Sequence, residues 1–353
     1  MTLSIIVLAA GKGTRMKSKK PKVLHNVANL PMLYHVLNTV KKLKPNKCSI
    51  VISNEMKKYI SITKEKFPFI EFFIQKKQLG TADAVRCGIT KPDDFLNDNT
   101  LILYGDTPLI QATTLKKMIN NLKIKKANLD ILSMEPKNTK NYGRVIVKEN
   151  KVIEIVEFSE ASKEVKKINL CNTGVMALNT NELVQNISKV NNKNSKGEFF
   201  LTDLIKIFNS QNKVVTHTKC NYFETLGVND KKDLTIVESI YQNTKRDFFL
   251  KKGITLINPS TVFFSYDTEI SEETIIHPNV YFGKNVIIGR NVVVKSFCHI
   301  EKSKIKDDSE VGPFARIREK SEIGENTRIG NFVEVKKSKI KNLSKISHLS
   351  YVG

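Results

Sequence analysis

From residue 280 onward, one position in six carries an aliphatic side chain or a cysteine. Val280, Val286, Val292 and Cys298 are followed, after one extra residue, by Ile305, Val311, Ile317, Ile323, Ile329 and Val335, and then by Ile340, Ile346 and Val352. A period of six belongs neither to a helix nor to an ordinary alternating strand. It is the repeat of a parallel β-helix, in which each aliphatic residue stacks on its counterpart one coil away. With three hexads per turn roughly four coils are expected, whereas a β-sandwich would hold this register only by coincidence. The chain stops at Tyr351-Val352-Gly353, inside the repeat. Solenoid ends normally carry a cap over their apolar face, so the chain is expected to be truncated at its C-terminus or covered there by another chain.

Up to about residue 135 the pattern differs: short apolar runs alternate with segments of helical period. Strands are expected at Leu3 to Leu8, Ser49 to Ile52, Phe72 to Ile74, Leu101 to Tyr104 and Leu129 to Ser133. A helix starting at Pro31 places Met32, Leu33, Val36, Leu37, Val40 and Leu43 on one face. This alternation indicates an α/β fold with a mostly parallel sheet, covered on both sides, whose ligands bind beyond the carboxyl ends of the strands. Between about 140 and 228 the sequence is more β-like. Gly143 to Val147 and Val152 to Val156, joined by Glu149-Asn150-Lys151, read as a hairpin that could wall one side of a pocket. Residues 230 to 250 return to helical spacing and Gly253 ends them as a cap. The expected organisation is an α/β domain over 1–228, a linker helix over 229–252 and a β-helix domain over 253–353.

The first strand runs directly into Gly11-Lys12-Gly13-Thr14-Arg15-Met16, followed by Pro21-Lys22-Val23-Leu24. Gly11 and Gly13 let backbone N–H groups approach an anion, and Arg15 and Lys22 add positive charge on the same side. A nucleoside triphosphate is the natural guest. The dinucleotide fingerprint fails because Met16 stands in place of its third glycine, and the P-loop fails because no Gly-Lys-Ser/Thr closes the run.

Lys and Arg number 58 against 35 Asp and Glu, a net charge of +23. Nucleic-acid binders concentrate such charge on a face or tail with aromatics to stack on bases. Here it is almost all Lys, scattered and mixed with acids, so a solvated surface and no nucleic-acid partner are expected. Cys48, Cys87, Cys171, Cys220 and Cys298 are odd in number and lack Cys-x-x-Cys spacing, which points to free thiols in a reducing cytosol. No apolar run approaches the ~18 residues of a membrane span, and no signal-peptide pattern opens the chain. A cytoplasmic protein without a membrane partner is expected.

Gly-x-Gly-Thr-Arg-Met with Pro-Lys-Val-Leu looks like the sugar-1-phosphate nucleotidyltransferase signature. With the hexapeptide repeat in the same polypeptide, the chain resembles the bacterial bifunctional UDP-N-acetylglucosamine pyrophosphorylase/glucosamine-1-phosphate N-acetyltransferases, the GlmU family. The resemblance covers essentially the whole chain. It is carried by Leu8 to Met16, Gln78-Leu79-Gly80-Thr81, Tyr104-Gly105-Asp106, Tyr142-Gly143-Arg144, Asn172-Thr173-Gly174, Gly197 to Asp203 and Gly227-Val228-Asn229.

The resemblance implies a Rossmann-like nucleotidyltransferase domain followed by a left-handed β-helix. It also implies a reaction: UTP and N-acetylglucosamine 1-phosphate give UDP-N-acetylglucosamine, a precursor for peptidoglycan and lipopolysaccharide, and pyrophosphate. The attacking sugar phosphate is already an anion, so charge repulsion rather than deprotonation is the barrier. By resemblance Arg15 and Lys22 neutralise the triphosphate, and Asp106 with Asn229 holds Mg²⁺, a cation suited to oxygen ligands. Leu8, Ala9, Ala10, Gly11, Gln75, Gly80 and Thr81 surround the uridine, while Tyr104, Gly105, Gly143, Glu157 and Asn172 hold the amino sugar. In the β-helix the resemblance implies acetyl transfer from acetyl-CoA to glucosamine 1-phosphate. There Arg318 and Lys336 take the phosphate, His348 removes the amine proton and Tyr351 lies nearby.

Two departures stand out. Ala82-Asp83 replace the Gly or small residue and His usual in this family, and Phe158-Ser159-Glu160 replaces a segment that normally carries a Lys beside Glu157. Both bear on sugar contacts. The family's chain also continues beyond this point, supplying further sugar contacts and most of the acetyl-CoA groove. The leading expectation is a uridylyltransferase whose acetyltransferase module is truncated, latent or completed elsewhere, and the resemblance implies a homotrimer through the β-helix. The alternatives are a nucleotidyltransferase for another sugar 1-phosphate, and a non-catalytic scaffold with the same two domains.

Overall fold

Every residue of β1 (Leu3–Ala9) is buried, as expected of a strand with neighbours on both edges and cover on both faces. In the computed structural model, which describes residues 2–89, 98–139 and 142–353, β1 pairs in parallel with β2 (Lys47–Ile52), which pairs in turn with β3 (Ile70–Ile74). On its other edge β1 pairs in parallel with β4 (Asn99–Tyr104). β5 (Leu129–Met134) follows in sequence but not in space. The hairpin of β6 (Arg144–Lys148) and β7 (Lys151–Val156) precedes β8 (Cys171–Asn179), and β8 runs antiparallel between β4 and β5. β9 (Val215–Lys219) closes that edge in parallel with β5.

The five expected strands are therefore present, and the expected hairpin turns through Glu149 (φ 47°) and Asn150 (φ 62°). Periodicity does not reveal β8, whose place beside β4 is set by tertiary pairing. The helix Met32–Leu43 buries Met32, Leu33, Val36, Leu37 and Val40, the face its spacing predicted. The carboxyl ends of β1 and β4 lead into Gly11 and Asp106, which places both at the same edge of the sheet.

The chain divides into two compact units, Met1–His25 with Pro31–Leu234, and Asn26–Leu30 with Thr235–Gly353. The helix Lys231–Lys251 contributes to both. It ends at Gly253 (φ 85°), with Ile254 N–H donating to the Phe249 carbonyl at 3.1 Å, a Schellman-type stop.

The second unit is a three-sided parallel β-helix with sheets of six, five and five short strands. It begins at Thr255–Leu256 and so has five full rungs, one more than the hexads alone indicate. The hexad residues from Val280 to Val335 are at most 1% exposed. From Ile305 on each stacks on its counterpart one coil away, as Ile305 on Ile323 and Ile317 on Val335, whereas the residues beneath Ile305, Val311 and Ile317 are Ile288, Val294 and Ile300, two places on from Val286, Val292 and Cys298. From Glu273 on a residue of positive φ stands at each corner, among them Asn279, Asn285, Asn291, Phe297, Asp308, Phe314, Asn326 and Phe332. Asn and Asp tolerate this conformation. The three Phe residues instead stack on one another outside the corner, with ring centroids 4.8 and 5.0 Å apart. Among the described residues no helix is long and apolar enough to cross a membrane.

Candidate active site

The loop after β1 reverses at Gly13, whose φ of 62° puts it in the left-handed region. A Cβ there would lie 2.7 Å from that of Lys22, so glycine is required to bring the two halves of the motif together. Thr14–Met16 forms a single 3₁₀ turn with Met16 fully buried beneath it. That anchor leaves Arg15 exposed on the outside of the turn.

Beyond the carboxyl ends of β1 and β4 lies a cleft of about 390 Å³. Of the residues expected to bind nucleotide or sugar, it is lined by Leu8, Ala9, Ala10, Gly11, Lys22, Gln75, Gly80, Thr81, Tyr104 and Asp106. Lys12, Gln78 and Glu198 also line it and were not singled out from the sequence. Gln78 sits inside a quoted motif and donates to the Ala10 carbonyl at 2.9 Å, closing the glycine loop against the Gln78-Leu79-Gly80-Thr81 segment. Gly105 is pinned by its N–H to the Leu8 carbonyl (2.9 Å) and packs against Ala9, Val23 and Leu33.

Lys22 and Arg15 are each held by a partner. The Lys22 ammonium makes a short ion pair with Asp106, both side chains mostly buried. The Arg15 guanidinium donates to Asn229 Oδ1 at 3.0 Å, and Asn229 N–H donates to Asp233. Val228 N–H donates to the Asp106 carbonyl at 3.0 Å, which brings the Asn229 segment alongside Asp106. The two cations and the two expected metal ligands thus occupy one neighbourhood. Among the described residues no cluster of three His, Cys, Asp or Glu could hold a metal unaided. One carboxylate and one amide oxygen are nevertheless a fitting donor set for Mg²⁺, which keeps several waters and takes phosphate oxygens for the rest.

The other expected sugar residues gather at the base of the β6–β7 hairpin. Asn172 N–H donates to the Gly143 carbonyl at 2.8 Å, and Glu157 lies against Gly143. Asn172 Oδ1 accepts from Gly174 N–H at 3.0 Å. Gly174 (φ 89°) leaves room for the Tyr104 ring, which a Cβ would meet at 2.7 Å. Burial, and then the charges of Asp106 and Glu157, hold the Tyr104 phenol well above its ordinary range, so it acts as a neutral hydroxyl. Burial also raises the Glu157 carboxyl, with Lys196 opposing and Glu160 and Asp203 adding to the shift.

Two arginines not assigned a role by the resemblance hold this surround in place. Arg144 is 1% exposed, and its guanidinium donates to the carbonyls of Thr139 and Tyr142. Arg86 donates to the carbonyls of Ile187 and Val190 and lies over the Phe199 ring at 4.7 Å. Neither is marked by periodicity or spacing, since their partners are remote in sequence or are backbone atoms.

In the β-helix, Arg318 and Lys336 are neighbours on adjacent parallel strands. Arg318 pairs with Glu334 at 2.6 Å and with Glu319 at 3.0 Å. Tyr351 stands in register with Glu334, so three of the four expected acetyltransferase residues share one sheet. His348 is exposed on a different sheet, in register with Asn331.

Comparison with known proteins agrees with both units. Residues 5–149 match the family described as MobA-like NTP transferase domain, and residues 259–346 match the GMPPB C-terminal domain. A bifunctional protein GlmU of Zymomonas mobilis subsp. mobilis is 40% identical over 352 residues, covering 99% of this chain and 78% of that protein. The GlmU of Paramagnetospirillum magneticum is 41% identical over 352 residues, covering 99% and 77%. Among solved structures, a putative glucose-1-phosphate thymidylyltransferase from Bacillus anthracis aligns with a TM-score of 0.53 at 20% identity. It covers 68% of this chain and 95% of that one, a likeness of fold. With relatives this similar across nearly its whole length, the chain belongs to the GlmU family of bifunctional proteins.

Proposed function

We propose that the cleft of the first unit transfers UMP from UTP to N-acetylglucosamine 1-phosphate with the help of Mg²⁺, releasing pyrophosphate. The chain is an enzyme, a sugar-1-phosphate uridylyltransferase by its family and its nucleotidyltransferase domain. The observation that carries the detailed reading is the paired set Lys22–Asp106 and Arg15–Asn229 at the mouth of the glycine loop. When a triphosphate enters, its oxygens replace the carboxylate and amide as partners of the two cations. Lys22 and Arg15 then offset the repulsion between the two phosphates, and Asp106 and Asn229 are released to hold the metal. Bound Mg²⁺ supplies further charge neutralisation to the phosphates. Because the sugar phosphate attacks as an anion, no residue is needed as a base. Tyr104, Gly143, Glu157 and Asn172 are the proposed seat of the amino sugar.

The second reaction of the family, acetyl transfer from acetyl-CoA to glucosamine 1-phosphate, falls to the β-helix. Arg318 and Lys336 would hold its phosphate, His348 would take the amine proton and Tyr351 would line the sugar site. Association as a homotrimer through the β-helix is the proposed assembly. The exposed stack Phe297, Phe314 and Phe332 supports it, since an apolar ladder of this kind is better covered than hydrated. Sedimentation at micromolar concentration tests this, a trimer supporting the assembly and a monomer opposing it. The five cysteines form no disulfide, in keeping with a reducing cytoplasm. Competition among UTP, CTP, ATP and GTP, and among sugar 1-phosphates, tests the substrate assignment: preference for UTP and N-acetylglucosamine 1-phosphate supports it, and preference for any other pair replaces it.

A further inference from the structure

The sequence departs from its family at Asp83, and the structure places this residue against Gln75 rather than in the sugar site. Gln75 is 4% exposed and lines the cleft. Its Nε2 donates to Asp83 Oδ2 at 2.7 Å and to the Gly80 carbonyl at 3.1 Å. Both hydrogens of the amide are thereby taken up by the protein, and Oε1 remains as the group left for a ligand. This orientation follows from the chemistry of the partners. A carboxylate and a peptide carbonyl only accept, so the amide can face them only through its nitrogen.

We infer that Asp83 is a specificity-positioning residue, which locks the Gln75 amide so that the base end of the cleft presents a fixed acceptor. The inference rests on the uridylyltransferase reading of this cleft. Uracil has a single donor on its edge, N3–H, between two carbonyl oxygens, whereas cytosine has an acceptor at the same place. A fixed acceptor at that point takes uracil and sets lone pair against lone pair in cytosine. The lock depends on Asp83 more than on Gly80, because the Gly80 carbonyl already accepts from Ala84 N–H at 3.1 Å and does not need the amide proton. Asp83 also lies in the first turn of the helix Thr81–Gly88, where the helix N-terminus favours a negative charge. Without the carboxylate the amide is free to turn over and present Nε2, a donor that fits cytosine.

The test is kcat/KM for UTP and for CTP with N-acetylglucosamine 1-phosphate, measured on the unsubstituted chain and on Asp83→Ala. The UTP-to-CTP ratio is expected to fall about tenfold, the worth of one charge-assisted hydrogen bond, mainly through KM, with kcat for UTP changed less than about twofold. Asp83→Asn, checked by its melting temperature in case the alanine variant folds poorly, is expected to show a smaller fall because its amide can still accept. In a Gln75→Met background Asp83→Ala is expected to leave the ratio unchanged. A ratio unchanged within about twofold in both Asp83 variants, or an equal fall when Gln75 is absent, overturns the inference. If the unsubstituted chain turns over no UTP, the functional reading fails separately. The lock is then judged from the shifts in melting temperature produced by UTP and CTP, whose ratio must still respond to Asp83→Ala.

Discussion

At the scale of single residues, the cleft combines groups that are costly to leave unpaired in a mostly buried place. Lys22 and Asp106 satisfy one another while the cleft is empty of phosphate, so each is held in position without a ligand. Lys22→Ala and Asp106→Ala are each expected to lower kcat/KM for UTP by about 10²- to 10³-fold, the usual loss for one charge-stabilising group, while substitution of scattered surface lysines leaves it unchanged. Steady-state kinetics beside circular dichroism separates this from unfolding. Glu157 gives a pH signature. Its carboxyl is raised by burial, so the native state holds the proton to higher pH than the unfolded chain does. The stability it contributes is present below the ordinary value of 4.5 and is lost as pH rises through the folded value. Glu157→Gln is therefore expected to raise the melting temperature at pH 7 by about 1–3 °C, the gain closing below pH 4.5. Burial likewise pushes the Cys48 thiol up to about 12 and the Cys298 thiol to about 11, which suits packing rather than nucleophilic chemistry.

At the scale of elements, the turn at Gly80 shapes one wall of the cleft. Its φ is 127°, and a Cβ there would come within 2.5 Å of the Phe199 carbonyl oxygen. Gly80→Ala is expected to cost about 1–3 kcal/mol, the usual strain of a forced backbone conformation, and to raise KM for UTP; denaturant titration and kinetics check the two halves. Much of the element layout was legible in the sequence because it rests on local signals. Continuous apolar runs marked β1, β4 and β5, the amphipathic spacing from Met32 marked its helix, and the hexads marked the β-helix from Val280 on but not its first coil. What was not legible depends on which distant segments meet. The antiparallel place of β8 comes from pairing across residues 99–104 and 171–179. The contact of Asp83 with Gln75 needs the helix Thr81–Gly88 to fold back beside β3, and the role of Arg144 needs carbonyls that only the folded loop supplies. Gln78 carried a signal, since it lies in a quoted motif, and its bond to Ala10 gives that motif a physical reason.

At the scale of the whole molecule, two units differ in architecture, and the proposed function gives each its own chemistry. The first ends its strands at the glycine loop that lines the cleft, the usual ligand edge of an open α/β sheet. The second stacks aliphatic hexads into a rigid prism that presents Arg318, Lys336 and Tyr351 from one sheet. The central claim is that the glycine-loop cleft is a working uridylyltransferase, and release of pyrophosphate by the purified chain from UTP, Mg²⁺ and N-acetylglucosamine 1-phosphate tests it most directly. Release that needs all three components and is lost in Asp106→Ala is the expected result. No release with UTP, with or without a different sugar 1-phosphate, would contradict the claim.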